Sequence, residues 1–171
     1  MLIKKQEHKT SSFIAELIEI LLIVFALSWI ARMYVFDLTR VNNEGMLPTL
    51  QSSDYVYVDK LFKKNLERGN LVVLDFQEDR KVIRLIGLAG DKVEIRNGYA
   101  YVNNEPLYEP YATTPITYKF DPVIVPEDHV FLLNDYRVNE NDSRKLGSTP
   151  IENILGKALF CFWPVHQIKL L

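Results

Sequence analysis

Residues 41–50 read Val41-Asn42-Asn43-Glu44-Gly45-Met46-Leu47-Pro48-Thr49-Leu50. Before them lies the only long apolar run of the chain, and after them come short segments in which apolar and polar residues alternate. A long apolar run is typical of a helix, whereas strict alternation indicates half-buried strands. The stretch therefore separates an N-terminal helix from a region that is predicted to be mainly β.

The apolar run covers residues 13–36 and is interrupted by the charged residues Glu16, Glu19 and Arg32. A helix needs roughly 20 residues to cross the hydrocarbon core of a membrane, and the charges lie toward its ends, where long side chains reach the interface. A cleaved signal peptide is disfavoured because the residues after the apolar core are too bulky for a cleavage site. A buried core helix is the remaining alternative. We predict an uncleaved transmembrane anchor over residues 13–36.

Basic residues on the two sides of this run predict its orientation. Lys4, Lys5 and Lys9 precede it, whereas Arg32 and Arg40 lie at or beyond its end. Cytoplasmic flanks carry the excess of basic residues, so the N-terminus is predicted to be cytoplasmic. The chain then divides into a cytoplasmic N-terminus (residues 1–12), the anchor (residues 13–36) and an extracytoplasmic β domain (residues 37–171).

The region after residue 37 is predicted to form an all-β sandwich or barrel, because its strand patterns follow one another without helices between them. Asn97-Gly98 is a strong signal for a hairpin with a two-residue turn. The prolines and threonines of residues 106–126 indicate an extended loop or irregular hairpin, residues 136–150 indicate a polar loop, and residues 150–154 one helical turn. The predicted strands are residues 55–59, 71–76, 81–86, 92–95, 99–102, 130–133 and 156–163.

Composition excludes several classes of function. The net charge of -2 argues against a nucleic-acid partner. Cys161 is the only cysteine, so neither an intrachain disulfide nor a cysteine metal cluster can form. The histidines lack metal-ligand spacing. We expect neither a metal nor a cofactor.

Three ordered motifs follow the apolar run. The first is Gly45-Met46-Leu47-Pro48-Thr49-Leu50, and the second is Lys81-Val82-Ile83-Arg84-Leu85-Ile86-Gly87-Leu88-Ala89-Gly90-Asp91. The third is Asn134-Asp135-Tyr136-Arg137-Val138-Asn139-Glu140-Asn141-Asp142-Ser143-Arg144. With the anchor, they make the chain similar to bacterial type I signal peptidases of the kind with a single N-terminal anchor. The resemblance implies a signal-peptidase-like β domain of antiparallel sheets.

This resemblance implies the chemistry of a Ser-Lys dyad, in which a neutral lysine takes the proton of a serine that attacks a peptide carbonyl. The present sequence departs from the family pattern at the positions of that chemistry. Gly45 stands at the nucleophile position and Ile83 at the base position. Asn134 replaces a glycine that gives the lysine room, and Glu140 replaces a serine that orients it. No functional catalytic residue is therefore expected.

Residues around the lost chemistry match the family. The resemblance assigns structural support to Asp135, Arg137, Asp142, Ser143 and Arg144, with an ion pair between Asp142 and Arg144. Peptide-binding candidates are Met46, Leu47, Pro48 and Val82. The residues around the two dyad positions match the family, whereas the dyad itself is absent. We therefore predict that Gly45→Ser together with Ile83→Lys restores cleavage.

The resulting hypothesis is a catalytically inactive signal peptidase homologue, a serine-protease-like pseudoenzyme of protein secretion in the bacterial cell membrane. Its expected partners are the membrane and either secretory signal peptides or an active signal peptidase paralogue. Two alternatives stay open. One is an active membrane peptidase that processes preproteins with a non-standard nucleophile, and the other is a membrane-anchored β binding module with an unrelated ligand.

Overall fold

The structure is a computed structural model that describes residues 2–61, 65–76, 79–117 and 120–171. It comprises two compact units, Met1–Phe36 and Asp37–Leu171. The first unit is a helix, α1, which runs from Leu2 to Tyr34. It contains neither glycine nor proline, and its side chains from Phe13 onward are exposed apart from the half-buried Ala31. The helix ends two residues before the predicted end of the anchor, because Phe36 already begins the first strand.

The second unit is mainly β and contains two sheets. The larger sheet is formed by β1 (Phe36–Arg40), β2 (Tyr55–Asp59), β3 (Leu71–Phe76), β4 (Asp79–Gly87), β9 (His129–Leu133), β10 (Thr149–Pro150), β11 (Ile154–Trp163) and β12 (Lys169–Leu170). The order of its strands is β1-β2-β11-β3-β4-β9-β10, with β12 also paired to β11. The pairs β11–β2, β11–β3, β3–β4 and β4–β9 are antiparallel.

The smaller sheet has the order β7-β6-β5-β8. Its strands are β5 (Lys92–Arg96), β6 (Tyr99–Val102), β7 (Glu105–Pro106) and β8 (Phe120–Ile124). Asn97-Gly98 joins β5 to β6, and both residues have positive φ angles of 52° and 85°. This confirms the predicted hairpin, since a type I′ turn requires positive φ at both central residues.

Strand β8 lies inside residues 106–126, which the sequence predicted as an extended loop or irregular hairpin. Pro122 in the middle of this segment argued against a strand. Proline is tolerated in an edge strand, because its missing N–H then faces away from the ladder, and β8 is the edge of its sheet. The segment from residue 136 to residue 150 includes a short helix, α2 (Ser143–Leu146), and the predicted turn after Pro150 is the 3-10 helix Ile151–Asn153.

The core has three clusters of buried side chains, and adjacent residues of β4 belong to different clusters. Val82 packs with Met46, Leu50 and residues of β2 and β11, whereas Ile83 packs with Leu132, Leu74 and other residues on the opposite face of the sheet. The alternation follows from the strand geometry, in which successive side chains point to opposite faces. The loop of residues 41–50 therefore packs against the Val82 face of β4.

Candidate active site

Gly45 is buried, and its surroundings leave no room for a side chain. An ideal Cβ atom on Gly45 would lie 2.7 Å from Asn134 Oδ1 and 2.9 Å from Asn43 Oδ1. Its φ angle is not in the left-handed region, so the backbone itself would accept a side chain. The constraint at the predicted nucleophile position is therefore steric, and two asparagine side chains impose it.

The backbone of Gly45 is also engaged. Its N–H donates to Asn43 Oδ1 over 2.9 Å, and its carbonyl oxygen accepts from the Tyr136 N–H over 2.9 Å. In the predicted chemistry, a backbone N–H near the nucleophile would stabilise the developing oxyanion. Here the Gly45 N–H already has an acceptor within its own loop.

Asn134 is the residue that contacts this loop from the third motif. It is fully buried (0% exposed), and its amide Nδ2 donates to the Asn139 carbonyl oxygen over 2.9 Å and lies 3.5 Å from that of Asn141. Its Oδ1 is buried without a hydrogen-bond partner in the described part of the chain. The amide thus occupies the volume that the family pattern leaves empty with glycine. Glu140 is exposed.

Ile83 is buried (1% exposed) and lines a cavity of about 200 Å³. The walls of this cavity include Leu74, Leu132 and Lys81, whose Nζ donates to the Asn141 carbonyl oxygen. Asn141 also lines the cavity and touches Asn134, so Asn134 bridges the surroundings of Ile83 and those of Gly45. The predicted base position offers a hydrocarbon side chain with no proton acceptor.

A buried ion pair fixes the loop of Gly45 to the sheet. Arg84 donates to both carboxylate oxygens of Asp135, from Nε over 2.7 Å and from Nη2 over 2.6 Å, and from Nη1 to the Gly69 carbonyl over 2.8 Å. Thr49 completes the group by donating its hydroxyl to Asp135. Because Asp135 is fully buried, removal of Arg84 or Thr49 would leave a charge poorly compensated.

A second ion pair organises the turn that carries Asn134. Arg144 binds Asp142 through Nε and Nη2, over 2.8 and 2.7 Å, and donates to the carbonyl oxygens of Arg137 and Asn139. Asp142 accepts from the Asn134 N–H over 3.0 Å. Ser143 accepts from the Leu132 N–H over 3.0 Å. Structural support was assigned to Asp135, Arg137, Asp142, Ser143 and Arg144. Each of them contacts the backbone of the candidate site or lies directly beside it.

Arg137 pairs with a residue that sequence reasoning missed. Its Nη2 donates to Glu109 Oε1, which also accepts from the Tyr111 hydroxyl over 3.1 Å. The Arg84 guanidinium lies 3.7 Å from the centre of the Tyr111 ring. Burial, followed by the negative charge of Glu109, raises the pKa of Tyr111, so its hydroxyl stays protonated. No motif marks Glu109 or Tyr111, because both lie in the segment predicted as a loop.

The four peptide-binding candidates differ in how far their side chains are exposed. Met46 (0% exposed) and Val82 (1% exposed) are packed within the core, and their contact with a peptide stays a prediction. Leu47 is half-buried and Pro48 is exposed. The backbone of residues 80–83 pairs with β3 on one side, while β9 pairs with β4 at Arg84, Leu85 and Gly87. Among the described residues, no strand pairs with residues 80–83 on that second side.

Comparison with known proteins shows the family of the chain. The model of the signal peptidase family, peptidase S26, matches residues 14–163. The chain belongs to this family. It is 34% identical to a probable signal peptidase I-2 of Synechocystis over 178 residues, covering 98% of this chain and 82% of that protein. It is 32% identical to a signal peptidase I of Bacillus amyloliquefaciens over 181 residues, covering 97% and 98%.

A crystal structure of a signal peptidase I from Enterococcus faecalis matches with a TM-score of 0.49 and 26% identity, over 54% of this chain and 96% of that one. Helix α1 includes a candidate membrane span. Its Phe13–Tyr34 segment of 22 residues is long and apolar enough to cross a membrane. The family and this helix together indicate a membrane protein.

Proposed function

We propose that this chain is a membrane-anchored member of the signal peptidase I family that does not cleave peptides. The observation that carries the proposal is the filled space at Gly45, where Asn134 Oδ1 and Asn43 Oδ1 would lie 2.7 and 2.9 Å from a Cβ atom. A position that lost its serine by a single recent substitution would retain room for that side chain. A serine at this position would instead have to displace the Asn134 or the Asn43 side chain.

The nucleophile and the base, which are absent at Gly45 and Ile83, are the two groups between which the proton-transfer step takes place. Covalent catalysis of this type needs a nucleophile and a base within hydrogen-bonding distance of each other. Gly45 supplies no nucleophile, and Ile83 supplies no base. In a serine hydrolase the loss of one such member costs on the order of 10⁶-fold in rate. The engaged Gly45 N–H weakens the oxyanion site as well, since that donor would have to leave Asn43 before it met a substrate.

Peptide binding survives the loss of chemistry in this proposal. An extended peptide can add to the open side of residues 80–83 by strand pairing, in which backbone hydrogen bonds supply most of the affinity. Leu47 and Pro48 are accessible and supply apolar contacts beside it. The ligand is the C-terminal end of a secretory signal peptide, and the alternative partner is an active signal peptidase paralogue. The β domain is extracytoplasmic, with Lys4, Lys5 and Lys9 on the cytoplasmic side.

A cleavage assay tests the loss of activity. The full chain, reconstituted in lipid nanodiscs, is incubated with a preprotein that carries a cleavable signal peptide, and the signal peptidase I of Bacillus amyloliquefaciens serves as the positive control. We expect product only with the control enzyme. Time-dependent cleavage at one site by the present chain would overturn the proposal.

One observation favours the second candidate, an active peptidase with a non-standard nucleophile. Ser148 and Lys81 line the same cavity as Ile83, and Ser148 Oγ is buried with no partner in the described part of the chain. Lys81 Nζ, however, donates to the Asn141 carbonyl oxygen and makes no hydrogen bond with Ser148 Oγ. If the assay shows cleavage, loss of the product with Ser148→Ala and with Lys81→Met identifies this pair, and persistence rejects it.

Binding is tested separately from cleavage. A fluorescent peptide with the sequence of a signal-peptide end, containing small residues at its cleavage positions, is titrated with the full chain in nanodiscs. We expect saturable anisotropy that Pro48→Gly and Leu47→Ser weaken and that Leu170→Ser, at an exposed leucine outside both the loop and the cavity beside Ile83, does not. Absence of binding would remove the signal peptide as ligand and leave the paralogue as partner.

A further inference from the structure

The apolar part of α1 contains an acidic side chain well inside its length. The candidate span Phe13–Tyr34 has 22 residues, which make a helix roughly 33 Å long, and Glu19 lies in its first third. When the span is centred on a hydrocarbon core of roughly 30 Å, the Cα atom of Glu19 lies about 8 Å below the surface of that core. The Glu19 side chain is exposed, so in a membrane it would face lipid.

A shift of the helix along its axis does not bring Glu19 to the membrane surface without a mismatch. Residues 20–34 make about 22 Å of helix, which is short of the roughly 30 Å that has to be crossed. The helix does not continue further, because β1 begins at Phe36. Lysine and arginine reach the interface through long apolar stems, whereas glutamate has a shorter one. The placement that uses the full span therefore keeps Glu19 within the hydrocarbon core.

Glu19 has no cation close to it along the helix. The residues one turn away on either side are apolar or acidic, namely Ala15, Glu16, Leu22 and Ile23. Arg32 is thirteen residues further along the chain, which is about 20 Å along the helix axis. A carboxyl group in hydrocarbon is costly without a partner, and ionisable residues within membrane spans characteristically pair with other polar groups. A partner for Glu19 therefore has to come from outside α1.

The face of α1 that carries Glu19 also allows another helix to approach closely. Ala15 and Ala26 lie within about 40° of Glu19 around the helix axis, whereas Ala31 lies about 120° away from it. Small residues at a contact let the backbones of two membrane helices come close together. The carboxyl group and two alanines thus share one face of the span.

We propose that α1 pairs in the membrane with a transmembrane helix that carries a lysine or arginine at the depth of Glu19. The two side chains form a charge-assisted hydrogen bond, and Ala15 and Ala26 pack against the backbone of the partner. A second copy of this chain fits less well, because the same orientation brings Glu19 against Glu19 and like charges repel. The inference rests on the membrane anchoring in the proposed function and is independent of whether the chain cleaves peptides.

Fluorescence energy transfer to a model helix tests the pairing. The full chain, labelled with a donor at its N-terminus, is reconstituted in phosphatidylcholine vesicles with an acceptor-labelled peptide. The apolar span of this peptide consists of leucine and alanine, with one lysine at the depth of Glu19. We expect the lysine peptide to associate at least about fivefold more tightly than the same peptide with leucine in place of lysine. Flotation of the chain with the vesicles checks the anchoring separately.

Two variants locate the contact on α1. Glu19→Leu removes the carboxyl group and should lower the association of the lysine peptide to that of the leucine peptide. Glu19→Leu combined with Leu21→Glu keeps the composition and nearly the depth, but it moves the carboxyl group about 160° around the helix, away from Ala15 and Ala26. This double variant should bind the lysine peptide at least about threefold more weakly than the unaltered chain.

Several results would overturn the pairing. Equal association of the lysine and leucine peptides would mean that Glu19 recruits no cation, and undiminished binding by either variant would place the contact on another face. Energy transfer between donor-labelled and acceptor-labelled copies of the chain, abolished by Glu19→Leu, would make a second copy the partner. A chain that did not float with the vesicles would remove the anchoring and the pairing together, whereas a floating chain that met none of these expectations would leave the anchoring intact.

Discussion

At the scale of single residues, Asn134 determines what the candidate site can accommodate. Its Nδ2 holds the carbonyl oxygen of Asn139, its N–H binds Asp142, and its Oδ1 faces the Cα atom of Gly45. A rotation of the amide away from Gly45 would break the hydrogen bond to Asn139. Gly45 and Asn134 therefore pack tightly against each other. The effect of a substitution at one residue on stability should depend on which side chain the other carries.

A double-mutant cycle measures this fit. We predict that Gly45→Ala lowers the free energy of unfolding by about 1–3 kcal/mol, the usual cost of overpacking a buried site. In the background of Asn134→Ala, which removes Oδ1, the same change should cost at least about 1 kcal/mol less. Urea unfolding of the full chain in micelles, followed by tryptophan fluorescence, gives the values. Equal costs in the two backgrounds would mean that Asn134 does not restrict Gly45.

The sequence revealed some of these residues and concealed others. Gly45 and Ile83 were recognised because an ordered motif assigns each of them a position. The hydrogen bond that the Gly45 N–H donates to Asn43 Oδ1 has a local signal, since asparagine side chains commonly accept from the backbone N–H two residues later, but the motifs gave this asparagine no role. The burial of Met46 and Val82 could not be foreseen, because it depends on how the loop packs on one face of β4.

At the scale of elements, the turn between β4 and β5 depends on the carboxylate of Asp91. It accepts from the Leu88 N–H over 2.8 Å, from Arg68 over 2.9 Å and from Asn103 Nδ2 over 2.7 Å. These contacts tie the turn to the two segments beside it. Burial raises the pKa of Asp91, but the hydrogen bonds and the charge of Arg68 outweigh burial and hold the pKa of this carboxyl below its ordinary value.

The lowered pKa predicts how stability depends on pH. The unfolded chain binds this proton more readily than the folded chain, so ionised Asp91 stabilises the fold at pH values above about 4. This contribution is lost as the pH falls through the lower, folded-state pKa. We predict that Asp91→Asn costs about 1–3 kcal/mol at pH 7 and that the difference from wild type shrinks below about pH 4.

Urea unfolding of the full chain at a series of pH values checks this prediction. Glu127→Gln removes the same charge from an exposed side chain and should show no comparable loss of stability at pH 7. A cost of Asp91→Asn that stays constant down to about pH 2 would contradict the assigned role of the carboxylate.

Strand patterns allowed most of the elements to be predicted, and the exceptions have a physical explanation. The β5–β6 hairpin was found because Asn97-Gly98 is a local signal that needs no tertiary contact. Strand β8 was missed because its stability comes from pairing with β5 at the edge of the sheet, where Pro122 is tolerated. The role of the segment that carries Glu109 and Tyr111 was missed for the same reason, because contacts with Arg137 and Arg84 order this segment.

At the scale of the whole molecule, two buried ion pairs surround Gly45 and Ile83, the positions at which the proposed function places the loss of catalysis. The ion pairs Arg84–Asp135 and Asp142–Arg144 are both buried, and their side chains hold the backbones that carry Gly45 and Asn134. The sequence predicted both the supporting residues and these two positions from three motifs. It did not predict that Asn134 Oδ1 and Asn43 Oδ1 would lie 2.7 and 2.9 Å from a Cβ atom on Gly45, and we therefore predict that Gly45→Ser with Ile83→Lys restores less cleavage than a variant that also replaces these asparagines.

The most direct measurement is the rate at which a restored chain cleaves a preprotein. The variant combines Gly45→Ser, Ile83→Lys, Asn134→Gly, Glu140→Ser and Asn43→Ala, which supply the dyad, clear its space and free the Gly45 N–H. Its control retains Asn134 and is otherwise identical. We predict cleavage at least about a hundredfold above wild type for the full variant, and none for the control. Cleavage by the wild-type chain, or an equal rate in the control, would contradict this account.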